Sequence, residues 1–416
     1  MKALHGAVCA VFVAMLLCAS ASPAHAALQR PNATDQRVSA IPQSTLLDRP
    51  AKALVDPDRQ AAAARLIRWK APGWLLMVLA QILALAYFWR SGGAAAWRDR
   101  LRQSIRSEFF VRVLFGASLA AIARFAALLP DFYLYRVEWV MGLSAELSRA
   151  WVIDWVLGLL GAMLLSGLVA GAVLWLADRT HQWYIYTLFG FIAISLALAW
   201  GGPAVIEPIF NHYAPMQMAG RPQVGALLAS VGMADLPIVV EDLSQRAQTQ
   251  GARADGLWSS RRIVVADTLV AGSTPQELNW IVALEVAHVA DGDLLRRALL
   301  QALILILGAG LGVFAADRIG FRRDDDPVSR LALVGAIFGC AFFLAVPAYN
   351  VGMRAMEAQA DVSAAKLTRD PSAGIRALVR TADENLEEVE PGSFATLYFG
   401  RAPAIAERVS ALNGKI

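Results

Sequence analysis

The sequence predicts a multi-span α-helical membrane protein carrying an α+β domain that a transmembrane hairpin splits in two. Three observations predict it. The 416 residues are 57% hydrophobic and only 17% charged, against about 25% charged in ordinary soluble domains. Six apolar runs approach the ~20 residues that a helix needs to cross a bilayer. Between the fourth and fifth runs lies a sizeable block that reads as strand, strand, helix. The bilayer is therefore the first partner the chain must have. The formal charge of +4 comes largely from arginines flanking apolar runs. With no basic stripe carrying interleaved aromatics, nucleic-acid binding is excluded as a function class.

Residues 1–26 read as a secretory signal peptide, with Lys2 at the positive start, Ala7–Leu17 as the apolar stretch and Ala24-His25-Ala26 as a small-residue cleavage site. Two of the three cysteines fall there, leaving Cys340 and no disulfide framework. Residues 27–72 read as an exported N-terminal segment, loosely structured, with some helix near Gln60–Trp69. Residues 73–206 then hold four transmembrane helices, built on Trp74–Trp89, Phe109–Leu129, Trp151–Ala177 and Trp183–Val205. Tryptophan and tyrosine at several run ends fit interfacial anchoring. Ionisable residues inside or near these spans, Arg112, Arg124 and Asp154, read as snorkelling or interhelical pairs.

The block at 207–297 contains strand-like Pro237–Glu241 and Arg262–Ala266, then a helix opening at Ser273-Thr274-Pro275-Gln276-Glu277. A hydroxyl cap, a proline in the first turn and an early acid are a good helix start. A hairpin at 298–352, with spans Ala298–Ala316 and Leu331–Val351, returns the chain to the same side for residues 353–416. Arg322-Arg323-Asp324-Asp325-Asp326 reads as the solvated loop between those spans. An exported N-terminus puts residues 90–108, with Arg90, Arg98, Arg100, Arg102 and Arg106, on the cytoplasmic side. Counting onward places the 207–297 block outside the cytoplasm, whereas the family resemblance given below implies the cytosolic face, so the side stays open. The expected location is the bacterial inner membrane.

The chemistry centres on Leu284-Glu285-Val286-Ala287-His288. A His-Glu-x-x-His helix works because residues i and i+4 share a face, so two imidazoles grip one zinc while the glutamate serves as general base. Here the first histidine is a leucine. The next acid-rich helix, Arg354–Asp361, carries Glu357 and Asp361 four residues apart on one face. That spacing suits one ligand and one supporting partner, provided the hairpin brings both helices together.

Five ordered stretches carry a family resemblance over roughly residues 130 to 412. They are Tyr135-Arg136-x-Glu138 with Gly142-Leu143-Ser144; Glu207-Pro208-Ile209-Phe210-Asn211-His212-Tyr213-x-Pro215; Arg261-Arg262-Ile263-Val264-Val265-x-Asp267-Thr268-Leu269; Glu285-x-x-His288 with Gly292-Asp293; and Glu357-x-x-Ala360-Asp361. Together these resemble the membrane-embedded zinc endopeptidases of the type I CAAX prenyl protease family. The resemblance implies a zincin-like metallopeptidase domain, His288 and Glu357 as zinc ligands, and Glu285 as the base acting on a zinc-bound water. Asp361 is the expected supporting partner. It further implies substrate binding along the segment at Gly251-Ala252, where the family has Asn-Ala.

The departures concentrate at the site. Leu284 stands at a ligand position, Gly251 replaces the asparagine, and Ala402 stands where the family has a histidine before the Glu407-Arg408 pair. His181, His212, Asp291 and Asp293 do not reproduce the i−4 position of the missing ligand. Two functions follow as expectations. One is a zinc metalloendopeptidase cutting peptides or membrane proteins with impaired activity and weak or absent zinc. The other is an inactive pseudoprotease that binds such substrates without cutting. A transporter fits worse, because the strands and the motif helix lie outside the spans.

Overall fold

The computed structural model describes residues 41–219, 221–320 and 326–413. The expected signal peptide and most of the Arg322–Asp326 loop lie outside these residues. Among those described, six helices are long and apolar enough to cross a membrane, matching the six runs.

The first, α1 (Pro57–Arg90), starts on Asp56, whose carboxylate accepts from Asp58 N at 2.8 Å and Arg59 N at 3.3 Å. Its 34 residues make a rod of about 51 Å, well beyond the ~30 Å hydrocarbon core. The helix expected near Gln60–Trp69 is present but longer, running from Pro57 straight into the first span with Pro72 inside it. After the short α2 (Gly93–Ser104) come α3 (Glu108–Val140), α4 (Ser148–Arg179) and α5 (Trp183–Gly201).

Glycines set the approach of α3 to α4. A Cβ on Gly116 would lie 2.5 Å from Ala170 Cβ and 2.8 Å from Ser166 O, and one on Gly167 would lie 2.7 Å from Val113 O. Only small residues allow backbones this close, and in lipid such packing drives helix association. Ser166 Oγ adds a bond to Gly116 O at 3.0 Å. The ionisable residues of these spans pair as expected. Arg112 meets Asp178 at 2.5 Å, and Arg124 meets Asp131 at 3.5 Å beside the Trp155 ring. Asp154 pairs with Arg246 from the soluble block. Leucines such as Leu160, Leu164 and Leu168 point outward, toward where lipid must lie.

The soluble block builds a four-stranded sheet in the order β1-β2-β4-β3, comprising β1 (Tyr213–Pro215), β2 (Ile238–Glu241), β3 (Ala252–Asp255) and β4 (Arg262–Ala266). A helix, α6 (Pro222–Ser230), separates β1 from β2. β2 and β4, the two strands expected from sequence, pair in parallel, while β1 and β3 add antiparallel edges.

The motif helix α7 (Pro275–Ala290) begins as anticipated. Thr274 Oγ1 accepts from Glu277 N, and Glu277 Oε2 accepts from Thr274 N at 2.9 Å, a reciprocal capping box. From Leu278 to Val289 the helix is buried almost throughout. Its apolar face shares one core with Ile263 and Val265 of β4 and with residues of the last helices. The hairpin follows as α8 (Asp293–Gly320) and α9 (Pro327–Thr368). α9 runs through 42 residues without a break, about 63 Å, so one rod forms the last span and also carries Glu357 and Asp361. Then come α10 (Pro371–Asn385), α11 (Ser393–Tyr398) and α12 (Ile405–Leu412).

The close approach of α3 and α4 predicts that Gly116→Val costs about 1–3 kcal/mol through overpacking. The readout is a lower thermal unfolding midpoint in detergent. Gly161→Ala, at a position with nothing within 4 Å, serves as the neutral control. An unchanged midpoint for Gly116→Val would contradict the packing described here.

Candidate active site

The hairpin does bring His288 and Glu357 together. His288 Nε2 lies 3.2 Å from Glu357 Oε2, and Nδ1 lies 2.8 Å from Asp293 Oδ2. Asp293 sits at the start of α8, just past the turn that ends α7. Each ring nitrogen therefore faces a carboxylate oxygen, a setting that favours the protonated ring. Burial alone would push the His288 pKa down, but the Glu357 hydrogen bond and the charges of Glu285 and Glu357 outweigh it and raise it. The ring is 1% exposed.

Glu357 is held from its other side. Arg408 of α12 places Nη2 3.0 Å from Glu357 Oε1. The same guanidinium donates to Asp361 through Nε at 2.7 Å and Nη2 at 2.6 Å, in the bidentate geometry that makes arginine–carboxylate pairs strong. Asp293, His288, Glu357, Arg408 and Asp361 thus form one chain of alternating charge. Asp361, expected to support a ligand, bonds Arg408 instead, and that guanidinium links it to Glu357.

Leu284 lies one turn before His288 on the same helical face. Its side chain is buried within the main core and brings no donor atom. Glu285, the expected base, is also engaged: its Oε2 accepts from Ala254 N at 2.6 Å. Burial raises its carboxyl pKa. Ala254 belongs to β3, the edge of the sheet. Gly251 O accepts from Ala266 N at 3.0 Å, so residues 251, 253 and 255 face β4 and Ala252 and Ala254 face outward. Glu285 therefore occupies an outward N–H of the edge strand. Gly251 and Ala252 stand at the start of that strand, and a side chain at 251 would meet nothing within 4 Å.

Zinc peptidase centres use three protein ligands and leave one position for water. Here one imidazole and one carboxylate face each other directly, and the third position is Leu284. Among the described residues no group of three His, Cys, Asp or Glu side chains is placed to hold a metal. The other residues weighed from sequence do not fill the gap. His212 precedes β1 on the far edge of the sheet, three strand spacings or about 14 Å from β3. His181 is exposed in the turn before α5, and Asp291 caps the C-terminal end of α7. The donor set does not fit a zinc peptidase centre.

Sequence reasoning missed two features. One is the Glu285–Ala254 bond. The other is a network on the sheet where Arg253 contacts Glu241 at 2.6 Å and Glu207 at 3.0 Å, and Arg262 contacts Glu207 at 2.7 Å. Ala-Arg-Ala-Asp is a poor strand signal, so nothing marked β3 as the element that carries both.

Comparisons with known proteins agree with this architecture. A model described as "CAAX prenyl protease N-terminal, five membrane helices" matches residues 54–212, and one described as "Peptidase family M48" matches residues 221–416. The chain is 25% identical over 342 residues to a CAAX prenyl protease 1 homolog of Oryza sativa subsp. japonica, covering 79% of each. It is 21% identical over 336 residues to an uncharacterized metalloprotease, YhfN, of Bacillus subtilis, covering 77% of each. The crystal structure of S. mikatae Ste24p superposes with a TM-score of 0.72 at 22% identity, covering 91% of this chain and 96% of that one, which establishes the shared fold. The chain is a multi-pass membrane protein belonging to the CAAX prenyl protease family of M48 zinc metalloproteases.

Proposed function

We propose that this chain holds peptide segments of membrane proteins in a protease-derived chamber of the bacterial inner membrane and does not cut them efficiently. The observation that carries this reading is Leu284, an apolar core side chain at the i−4 position from His288. Gly251 and Ala402 support it, because the family resemblance implies an asparagine and a histidine at those positions. Engagement of Glu285 by Ala254 N supports it further, since a base held by the edge strand is not poised against water. The inner-membrane location draws support from the export-like N-terminus and from similarity to a bacterial relative. A residual peptidase remains the second reading, favoured by one observation: Glu285, His288 and Glu357 are retained within one buried cluster.

The test is peptide binding beside turnover, using the full-length protein in nanodiscs with zinc supplied. Binding of apolar peptides without Glu285-dependent cleavage is expected, and Glu285→Gln leaves product formation at background. Leu284→His restores a ligand at the right face. If it also remains inactive, Gly251 and Ala402 are further lesions. Turnover by the unaltered chain that Glu285→Gln abolishes would overturn the reading.

A second prediction follows from the closed charge chain. If these residues now serve the fold, Arg408→Leu leaves Glu357 and Asp361 buried against each other. It is expected to cost about 3–5 kcal/mol, read by chemical or thermal denaturation. Arg408→Leu combined with Asp361→Leu, which removes two of the charges together, should recover part of the loss. No change in stability for the single variant would sink a structural role.

A further inference from the structure

α1, α8, α9, the turn between α3 and α4, the start of α4, residues Arg246 to Thr249 and the segments after α10 line a cavity of about 1260 Å³. Small-molecule sites usually hold roughly 300–1,000 Å³, so this one has room for a stretch of polypeptide. Its wall is partly aromatic. Trp74 stacks among Phe343, Tyr398 and Phe399 with centroids 5.4–5.9 Å apart, and Tyr349 also faces the cavity. The rest mixes aliphatic and uncharged polar side chains with five carboxylates and three cations.

Pairing on that wall is unequal. Lys70 is matched by Glu138 at 2.6 Å. Arg246 is shared by Asp154 and by Glu146, whose Oε1 lies 3.6 Å away and makes no hydrogen bond. Glu387 is exposed on the cavity wall and receives only the Asn385 amide at 3.4 Å. Burial and the neighbouring Asp154 push Glu146 up to about 7. Both carboxylates lack a cation of their own.

Their placement follows a line from the site. Asn385 bonds both backbone groups of Gln250, at 2.7 and 2.8 Å, and also reaches Glu387. Gln250 immediately precedes Gly251 and the edge strand β3. Glu387 is close enough to Glu357 and Arg408 to feel both charges. A chain extended along β3 and leaving past Gly251 therefore meets Glu387 first and enters the cavity that holds Glu146, Asp154 and Arg246.

We propose that this cavity selects peptide segments with lysine or arginine among apolar residues, with Glu387, Glu146 and Asp154 facing the cations and the aromatic wall facing the apolar side chains. The selection rests on the peptide-holding function proposed above. An aromatic wall beside carboxylates that outnumber their cations suits a cation twice over, through charge and through the ring faces.

The test compares three labelled peptides on one apolar frame, bearing two lysines, two norleucines or two glutamates. Each is titrated against the full-length protein in nanodiscs by fluorescence anisotropy. The lysine peptide is expected to bind about tenfold tighter than the norleucine peptide at low salt, and the advantage should shrink as salt screens it. Glu146→Gln combined with Glu387→Gln should erase most of that advantage while norleucine binding stays unchanged, which also reports that the variant is folded. Equal binding of lysine and norleucine peptides by the unaltered protein would overturn charge selection and leave peptide holding intact. Failure of all three to bind would overturn both.

Discussion

The contact between His288 and Glu357 joins residues 69 positions apart, and the rest of the site depends on it. It exists only because α8 and α9 leave the soluble block, cross the membrane and come back to the same side. The unbroken α9 then delivers Glu357 to α7, and α12 delivers Arg408 to Glu357. Each charge in the series from Asp293 to Asp361 has a partner of opposite sign. In a buried setting that is the condition for keeping any of them. Removing one leaves its neighbours desolvated and unpaired, so the group behaves as a unit.

That unit is self-sufficient as a fold element. Its helix is fixed independently by the Thr274–Glu277 capping box, by Glu277 meeting Arg380 at 2.9 Å, and by Trp280, which is 1% exposed. None of these needs a metal. A leucine at 284 extends the same core by one more side chain. On the function proposed above, the leucine that takes a ligand's place also adds apolar burial, so the helix stays intact. Glu285 completes the picture by bonding the edge strand, tying α7 to the sheet at the point where catalysis would need it free.

Much of this was legible in the sequence, for reasons that differ by element. The spans were legible because lipid demands length and apolarity together, and α7 because its cap combines Thr274, Pro275 and Glu277. The pairing of His288 with Glu357 followed from motif order once the hairpin was recognised. What stayed hidden has equally physical causes. Tertiary contacts, not composition, make Ala252–Asp255 a strand. Helix was legible near Gln60–Trp69, but Pro72 read as a break between it and the first span, whereas one helix runs from the Asp56 cap through Pro72. The partner of Asp361 was hidden because an arginine 47 residues away leaves no local trace.

Titrating zinc into the purified full-length protein in competition with a chromophoric chelator separates the depleted site proposed above from an intact zinc centre. The chelator is expected to win, with zinc held weakly and below one per chain. One zinc per chain retained against the chelator, and lost on His288→Ala, would contradict it.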